Sequence, residues 1–230
     1  MVEIGGKPML WHIMNIYAAH GLREFVVCCG YRGDAIRDYF DAYGRRGSDV
    51  TYDLWTGEQT VLRQHQEPWR VTCVETGENT QTGGRLKRIA DHLGSEDFCA
   101  TYGDAVSDVD ITALVAFHKS RKRLATVTAV HPPPRFGALA VTRGKARQFE
   151  EKPDGEGGWI SGGFFVLSPK VLDRIEGDDT VWELDPVASL AADGELSAFE
   201  HHGAWFPMDT LSDKQNLETM WEKGAPWKVW

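Results

Sequence analysis

The sequence predicts an α/β fold: a Rossmann-like, mostly parallel sheet flanked by helices, followed by a mixed, strand-rich second half. Three observations carry that expectation. Short apolar runs alternate with longer stretches of helical periodicity as far as residue 130. Beyond Pro132-Pro133-Pro134 the strand-like segments crowd together with fewer helices between them. The 230-residue chain, 42% apolar and 26% charged, has the length and composition to bury a substantial core.

Taken in order, residues 8–20 begin with proline at a helix start and stop at Gly21, which is helix punctuation at both ends. Phe25-Val26-Val27-Cys28-Cys29 reads as a short buried strand closed by Gly30, and residues 33–46 place Ile36, Tyr39, Phe40 and Tyr43 on one helical face. A strand at 71–74, a helix at 84–93 and a strand at 98–102 running into Gly103-Asp104 follow, then a helix at 111–121 and a strand at 125–130. The second half offers strands at 137–142, 148–151, 159–167 and 196–201, short helices near 169–176 and 183–192, and a last helix over 211–222. No repeat or long linker divides the chain, so a single domain over 1–230 is expected. Folds of this kind usually start with a central strand whose following loop binds phosphate. Here a loop and a helix come first, so such a strand is expected ahead of Met1.

The charge sum is 25 basic against 34 acidic residues, a net −9, which disfavours nucleic acid and anionic membrane as partners. No stretch has the length of a membrane span, and the N-terminus has no basic segment followed by a cleavable apolar one. A soluble, cytoplasmic protein is expected. Cys28, Cys29, Cys73 and Cys99 all fall in apolar strand-like segments without metal-ligand spacing and read as free, buried thiols. His201 and His202 alternate across a strand and do not converge on one metal.

Several short motifs then recur in a telling order: Gly5-Gly6-Lys7-Pro8, Tyr102-Gly103-Asp104, Glu151-Lys152-Pro153, Gly162-Gly163-Phe164 and Pro207-Met208-Asp209-Thr210. With the stretches EPWRVTCVETGENTQTGGRLKR at 67–88, RFGAL at 135–139 and HHGAWFPMDTLSDK at 201–214, they resemble the sugar-phosphate nucleotidyltransferases, and among them the branch that uses CTP, from the first residue to the last. The resemblance implies a nucleotidyltransferase/glycosyltransferase-A-like fold, with a nucleotide-binding part at 1–131, a sugar-phosphate-binding part at 132–210 and a C-terminal helix and tail at 211–230. It implies attack of glucose 1-phosphate on CTP in a magnesium-assisted displacement, in a homo-oligomer. It also implies a strand and a loop of the type GGxGTR in front of Met1. Their absence is expected to reflect truncation by on the order of 20–25 residues, leaving open sheet edges and a fragile chain. Ala105 departs from the family, which often has glycine after the aspartate of YGD.

Site residues follow from motif and chemistry together. Asp104 ends a strand where α/β folds bind ligands; alone it reads equally as a turn or cap residue, and the resemblance makes it a magnesium ligand. Asp209 could merely cap the last helix; the resemblance pairs it with Asp104 on one cation, both carboxylates being hard oxygen donors. Gly83, Gly84 and Arg85 open a helix whose free N–H groups suit a base edge, and the resemblance puts the pyrimidine there, with Gly103 and Lys7 also near the nucleotide. Lys87 and Arg88 read as a solvated helix face. Glu151 would accept from sugar hydroxyls and Lys152 would sit on phosphate, although Glu150-Glu151-Lys152 by itself is an ordinary charged edge. Gly162 and Gly163 either let a hexose approach bare backbone or mark a bulge. Asp108 and Asp110 are expected to be structural, as are Trp11, Trp182, Trp205 and Trp227, and the tail ending in Trp230 needs a docking surface. A non-catalytic sugar-phosphate or nucleotide-sugar sensor is the competing class, and UTP or dTTP the competing donors.

Overall fold

The computed structural model describes residues 1–63, 67–132, 138–142, 145–150 and 158–230, the segments 138–142 and 145–150 by their backbone. Strands β1 (Glu3–Ile4) and β2 (Lys7–Pro8) form a minimal hairpin. Its turn residues Gly5 and Gly6 both have positive φ, 57° and 72°, the conformation a two-residue hairpin turn demands. The Gly5 N–H donates to Glu218 Oε2 at 2.8 Å, and a Cβ at Gly5 would lie 2.0 Å from Trp221 Nε1, so this turn is seated against the last helix. Helix α1 (Met9–Ala19) buries Met9, Ile13, Met14, Ile16 and Tyr17, which makes it a core helix rather than an amphipathic surface one.

Strand β3 (Glu24–Cys29) leads into α2 (Gly33–Asp41), which ends earlier than the expected residue 46. The chain passes instead through turns to Gly47 at φ 72°, and the Tyr43 hydroxyl leaves the helix line to donate to Glu67. A hairpin of β4 (Asp49–Tyr52) and β5 (Gln59–Arg63), unforeseen in the sequence, precedes β6 (Arg70–Glu75). Next come α3 (Thr82–Arg88), a 3-10 turn at Ala90–His92, β7 (Phe98–Thr101), β8 (Ala105–Ser107), α4 (Ile111–Arg121) and β9 (Ala125–Val130). Strands β10 (Ala138–Thr142) and β11 (Lys145–Glu150) pair with each other. The chain finishes with β12 (Ile160–Leu167), a 3-10 helix at Pro169–Arg174, α5 (Asp185–Ala192), β13 (Leu196–Glu200), β14 (Trp205–Pro207) and α6 (Leu211–Glu222). The helix expected over 84–93 is thus two shorter pieces, and the one near 169–176 is a 3-10 helix.

The α/β class holds, and the sheets are mixed. β3 and β6 pair in parallel, as do β9 and β13, while β12 runs antiparallel between β9 and β7 in the order β13-β9-β12-β7. Consequently β7, β9 and β13 point the same way and share one carboxyl edge. Among the described residues, the β3–β6 pair does not hydrogen-bond to the four-stranded sheet. The two short strands that no apolar run announced, β8 and β14, pair antiparallel from Ala105↔Pro207 to Ser107↔Trp205.

One buried cluster joins Ile4, Ile13, Ile16, Val106, Leu114, Phe164, Leu217 and Trp227, so both ends of the sequence meet in it. The tail finds its docking surface on the same chain: Trp227 is fully buried and Trp230 packs edge-on against Trp11. The four cysteines are free, with Cys29 buried and the others half-buried. Burial raises the Cys29 and Cys99 thiols to about 11, so they are protonated and inert at neutral pH. No helix among the described residues is long and apolar enough to cross a membrane. Trp227→Ala is expected to cost about 3–5 kcal/mol, the loss for emptying a large aromatic site in a core, and urea denaturation against the parent chain measures it.

Candidate active site

The β8–β14 pairing decides where the two key aspartates stand. Asp104 immediately precedes β8 and Asp209 follows β14 by one residue, and the Met208 N–H donates to the Asp104 carbonyl at 2.8 Å. The two carboxylates, 105 positions apart in sequence, therefore lie close enough to feel one another. Crowding by protein on one side, and then the Asp209 charge, push the Asp104 carboxyl above its ordinary 3.8, although the residue as a whole is solvent-exposed.

Neither aspartate caps a helix. Helix α6 is capped by Thr210, whose Oγ1 accepts from Asp213 N at 3.1 Å, while Asp213 Oδ2 accepts from Thr210 N at 2.9 Å, a reciprocal capping box. Asp209 is therefore not spent on capping. Asp104 is followed by a strand, not a helix. Asp110 does cap α4, accepting from Ala113 N at 2.8 Å, and Asp108 accepts from Ala204 N and lies 2.9 Å from His201 Nε2, so both are structural as expected. Ala105 is 6% exposed in β8 and has ordinary negative φ, so its methyl strains nothing.

Beside Asp104, Gly103 has no atom within 4 Å of where a Cβ would stand, leaving space above the backbone. Gly163, in the β12 bulge between Ser161 and Phe165, has φ 75°, and a Cβ there would meet the Tyr102 ring at 2.5 Å. Gly162 is similarly filled, by Val130 at 2.8 Å, and its carbonyl accepts from Trp205 Nε1 at 2.8 Å. Both glycines are required by packing at their Cβ positions, and Gly163 lies in a bulge, one of the two expected readings. Tyr102 stacks edge-on with Phe165, and its buried hydroxyl has no partner of hydrogen-bond geometry among the described residues. Burial and the neighbouring Glu183 and Asp104 carboxylates push that hydroxyl well above its ordinary pKa.

Glu183 links this group to α3, accepting from Thr82 Oγ1 at 2.7 Å. At the helix start the Gly83 and Gly84 N–H groups both donate to the Thr180 carbonyl, at 2.9 and 3.2 Å, and a Cβ on Gly84 would stand 2.6 Å from the Asp178 backbone. Those N–H groups are engaged, so the expectation that they face a base edge fails; the glycines permit close passage of the 177–180 segment. Lys87 and Arg88 are not merely solvated either. Lys87 donates to the Ile175 and Glu176 carbonyls, and Arg88 makes a two-point ion pair with Asp178 at 2.5–2.8 Å. Arg85 alone reaches forward: its guanidinium donates to Thr76 Oγ1 at 2.7 Å and to the Glu78 carbonyl at 3.2 Å. It crosses Gly30, where a Cβ would lie 2.1 Å from Nη1, and so spans the carboxyl ends of β3 and β6. Gly30 and Thr76 are the supports that sequence reasoning missed; glycine directly after a strand was the available signal.

Lys7 lies 5.3 Å from the Trp11 ring and is exposed. Glu151 and Lys152 lie outside the described residues. Among the described residues, no group of three or more His, Cys, Asp or Glu side chains could hold a metal. Two neighbouring carboxylates are nevertheless a donor set that suits magnesium, which takes few protein ligands and completes its shell with phosphate and water. The two best-formed hollows among the described residues lie away from this pair, one against the end of α6 and one lined by Asp97, His118 and Ser168.

Residues 1–206 match the nucleotidyl transferase family. The chain is 53% identical over its whole length to a glucose-1-phosphate cytidylyltransferase of Salmonella typhimurium, covering 90% of that protein. It is 42% identical, again over its whole length and 91% of the relative, to a "probable glucose-1-phosphate cytidylyltransferase" of Bacillus subtilis. In fold it resembles HddC from Yersinia pseudotuberculosis, at TM-score 0.70 and 20% identity over 96% of this chain and 88% of that one. A UDP-glucose pyrophosphorylase crystallised with UDP-glucose has TM-score 0.66 and 12% identity over 97% and 89%.

The raised Asp104 carboxyl gives a stability prediction. The folded chain holds this proton more tightly than the unfolded chain, so the group's contribution to stability is present below about pH 4 and is lost as pH rises through the raised value. Asp104→Asn is therefore expected to be more stable than the parent at pH 7, with the gain vanishing near pH 4, as followed by urea denaturation at both values.

Proposed function

The chain belongs to the nucleotidyl transferase family, and from that premise we propose that it transfers a cytidylyl group from CTP to glucose 1-phosphate, giving CDP-glucose and pyrophosphate. The observation that carries the reading is the pairing of Asp104 with Asp209 on neighbouring strand ends, in a chain 53% identical over its full length to a cytidylyltransferase.

The chemistry asks little of the protein in the way of proton transfer. A phosphate oxygen of glucose 1-phosphate, already anionic, forms a bond to the α-phosphorus of CTP. The bond from that phosphorus to the bridging oxygen breaks, and its electron pair leaves with pyrophosphate. The barrier lies in bringing two polyanions together, so positioning and charge neutralisation are what the residues must supply. Magnesium, when bound, supplies the positive charge between the phosphates. Asp104 and Asp209 would hold it, their neighbouring carboxylates being suited to a shared cation. Arg85, fixed at the ends of β3 and β6, meets the nucleotide; the open space over Gly103 admits the phosphate chain next to Asp104. Gly83 and Gly84 serve the same nucleotide part, residues 1–131, by seating α3, and Lys7 lies in that part as well. By the resemblance of the EKP motif, Glu151 takes sugar hydroxyls and Lys152 the sugar phosphate, with Gly162 and Gly163 shaping the sugar part, residues 132–210, through Tyr102 and Trp205. The reading includes a homo-oligomer in the cytoplasm. The exposed Tyr52, Leu54, Trp55 and Leu62 of the β4–β5 hairpin support self-association, whereas the tail is already docked on its own chain.

Pyrophosphate release measured with glucose 1-phosphate and each nucleoside triphosphate tests the donor: CTP is expected to be favoured strongly, and preference for UTP or dTTP would replace it. With CTP, Asp104→Ala and Asp209→Ala are each expected to lower kcat by on the order of 10²–10³-fold while the fold is kept. CDP-glucose binding without turnover in the parent chain would favour the sensor class.

A further inference from the structure

The polar hollow, of about 300 Å³, is lined by Asp97, His118, Lys119, Lys122, Arg123, Leu124, Ser168 and Lys170. Asp97 precedes β7, Leu124 precedes β9 and Ser168 follows the antiparallel β12, so the hollow lies at the amino edge of the sheet. Asp104 stands beyond the opposite, carboxyl edge.

Its charge is unlike the rest of the molecule. Four cations, Lys119, Lys122, Arg123 and Lys170, face one lining carboxylate in a chain of net charge −9. That carboxylate, Asp97, is engaged with His118, whose Nε2 lies 3.4 Å from Asp97 Oδ2. Among the described residues none of these four cations has a carboxylate within ion-pair distance. His118 is only 2% exposed and is held at its other nitrogen by Thr126 Oγ1 at 2.8 Å, so the floor is a fixed, buried polar group. Burial lowers its pKa, partly opposed by the Asp97 carboxylate. Lys122 itself ends α4 with φ 53°, a left-handed position that glycine fills more cheaply.

We propose that this hollow binds a multiply charged phosphate group of a small molecule, held by Lys119, Lys122, Arg123 and Lys170 above His118. Convergent ammonium groups suit a compact polyanion as point charges. A long polyanion is disfavoured because the acidic remainder of the surface repels it. The site is separate from the one bearing Asp104, and the proposal stands or falls independently of the reaction assigned there.

Inorganic pyrophosphate is the probe, and the His118 ring signal in nuclear magnetic resonance, assigned by its loss in His118→Gln, is the readout. Titrating the full chain is expected to move that signal saturably, and potassium chloride at matched ionic strength is expected to leave it in place. Lys122→Gly keeps or raises the melting temperature, because it relieves the left-handed backbone, yet weakens pyrophosphate at His118 on the order of tenfold; Lys170→Ala weakens it similarly. A shift that merely follows ionic strength, or unchanged affinity in a well-folded Lys122→Gly, overturns the proposal.

Discussion

Three residue pairs of antiparallel strand decide most of what this molecule can do. β8 and β14 are short and half-hidden between larger elements, yet their register sets Asp104 beside the strand end that carries Asp209. Partial burial, and to a smaller degree the Asp209 charge, raise the Asp104 carboxyl, and a divalent cation bound there would offset both. Such an arrangement is costly for a fold and valuable for a phosphate-handling site. The capping box at the start of α6 is made by Thr210 and Asp213, so the helix cap and the proposed metal ligand are different side chains in nearby positions.

Around that pair the scaffold is rigid for identifiable reasons. Glycines at 83, 84 and 163 are required by the backbone at Asp178 and Thr180 and by the Tyr102 ring. Helix α3 is tied down along its length, by Thr82 to Glu183, the paired N–H groups to Thr180, Lys87 to two carbonyls and Arg88 to Asp178. That fixation lets Arg85 project from a stationary base across Gly30 to Thr76. The motif residues of one family thus divide into those that touch ligand in the proposed reaction and those that hold them still.

Much of this was legible in the sequence, and the failures are informative. The alternation of apolar runs with helical faces gave the α/β class, because burial on both sides of a strand writes a continuous apolar segment. It could not announce β8 and β14, only three residues each, nor the β4–β5 hairpin, whose exposed strands carry no buried face. Asp104 and Asp209 were singled out through ordered motifs, since nothing local distinguishes a ligand aspartate from a cap, and the structure brings them near one another. The glycine-rich helix start was read through free N–H groups, which the structure instead shows donating to the Thr180 carbonyl: a missing Cβ admits a ligand or a neighbouring chain equally well, and sequence does not show which. The basic hollow was hidden for a related reason. Nothing was read from Lys119, Lys122 or Arg123 in the sequence; only the fold brings Lys170 and His118 beside them.

Electron paramagnetic resonance of added manganese, standing in for magnesium, tests the central claim most directly. If Asp104 and Asp209 share one cation, the parent chain with CTP binds one ion, either single change to asparagine removes most of the affinity, and the double change does no further harm. Independent, additive losses, or manganese binding that survives both changes, would contradict it.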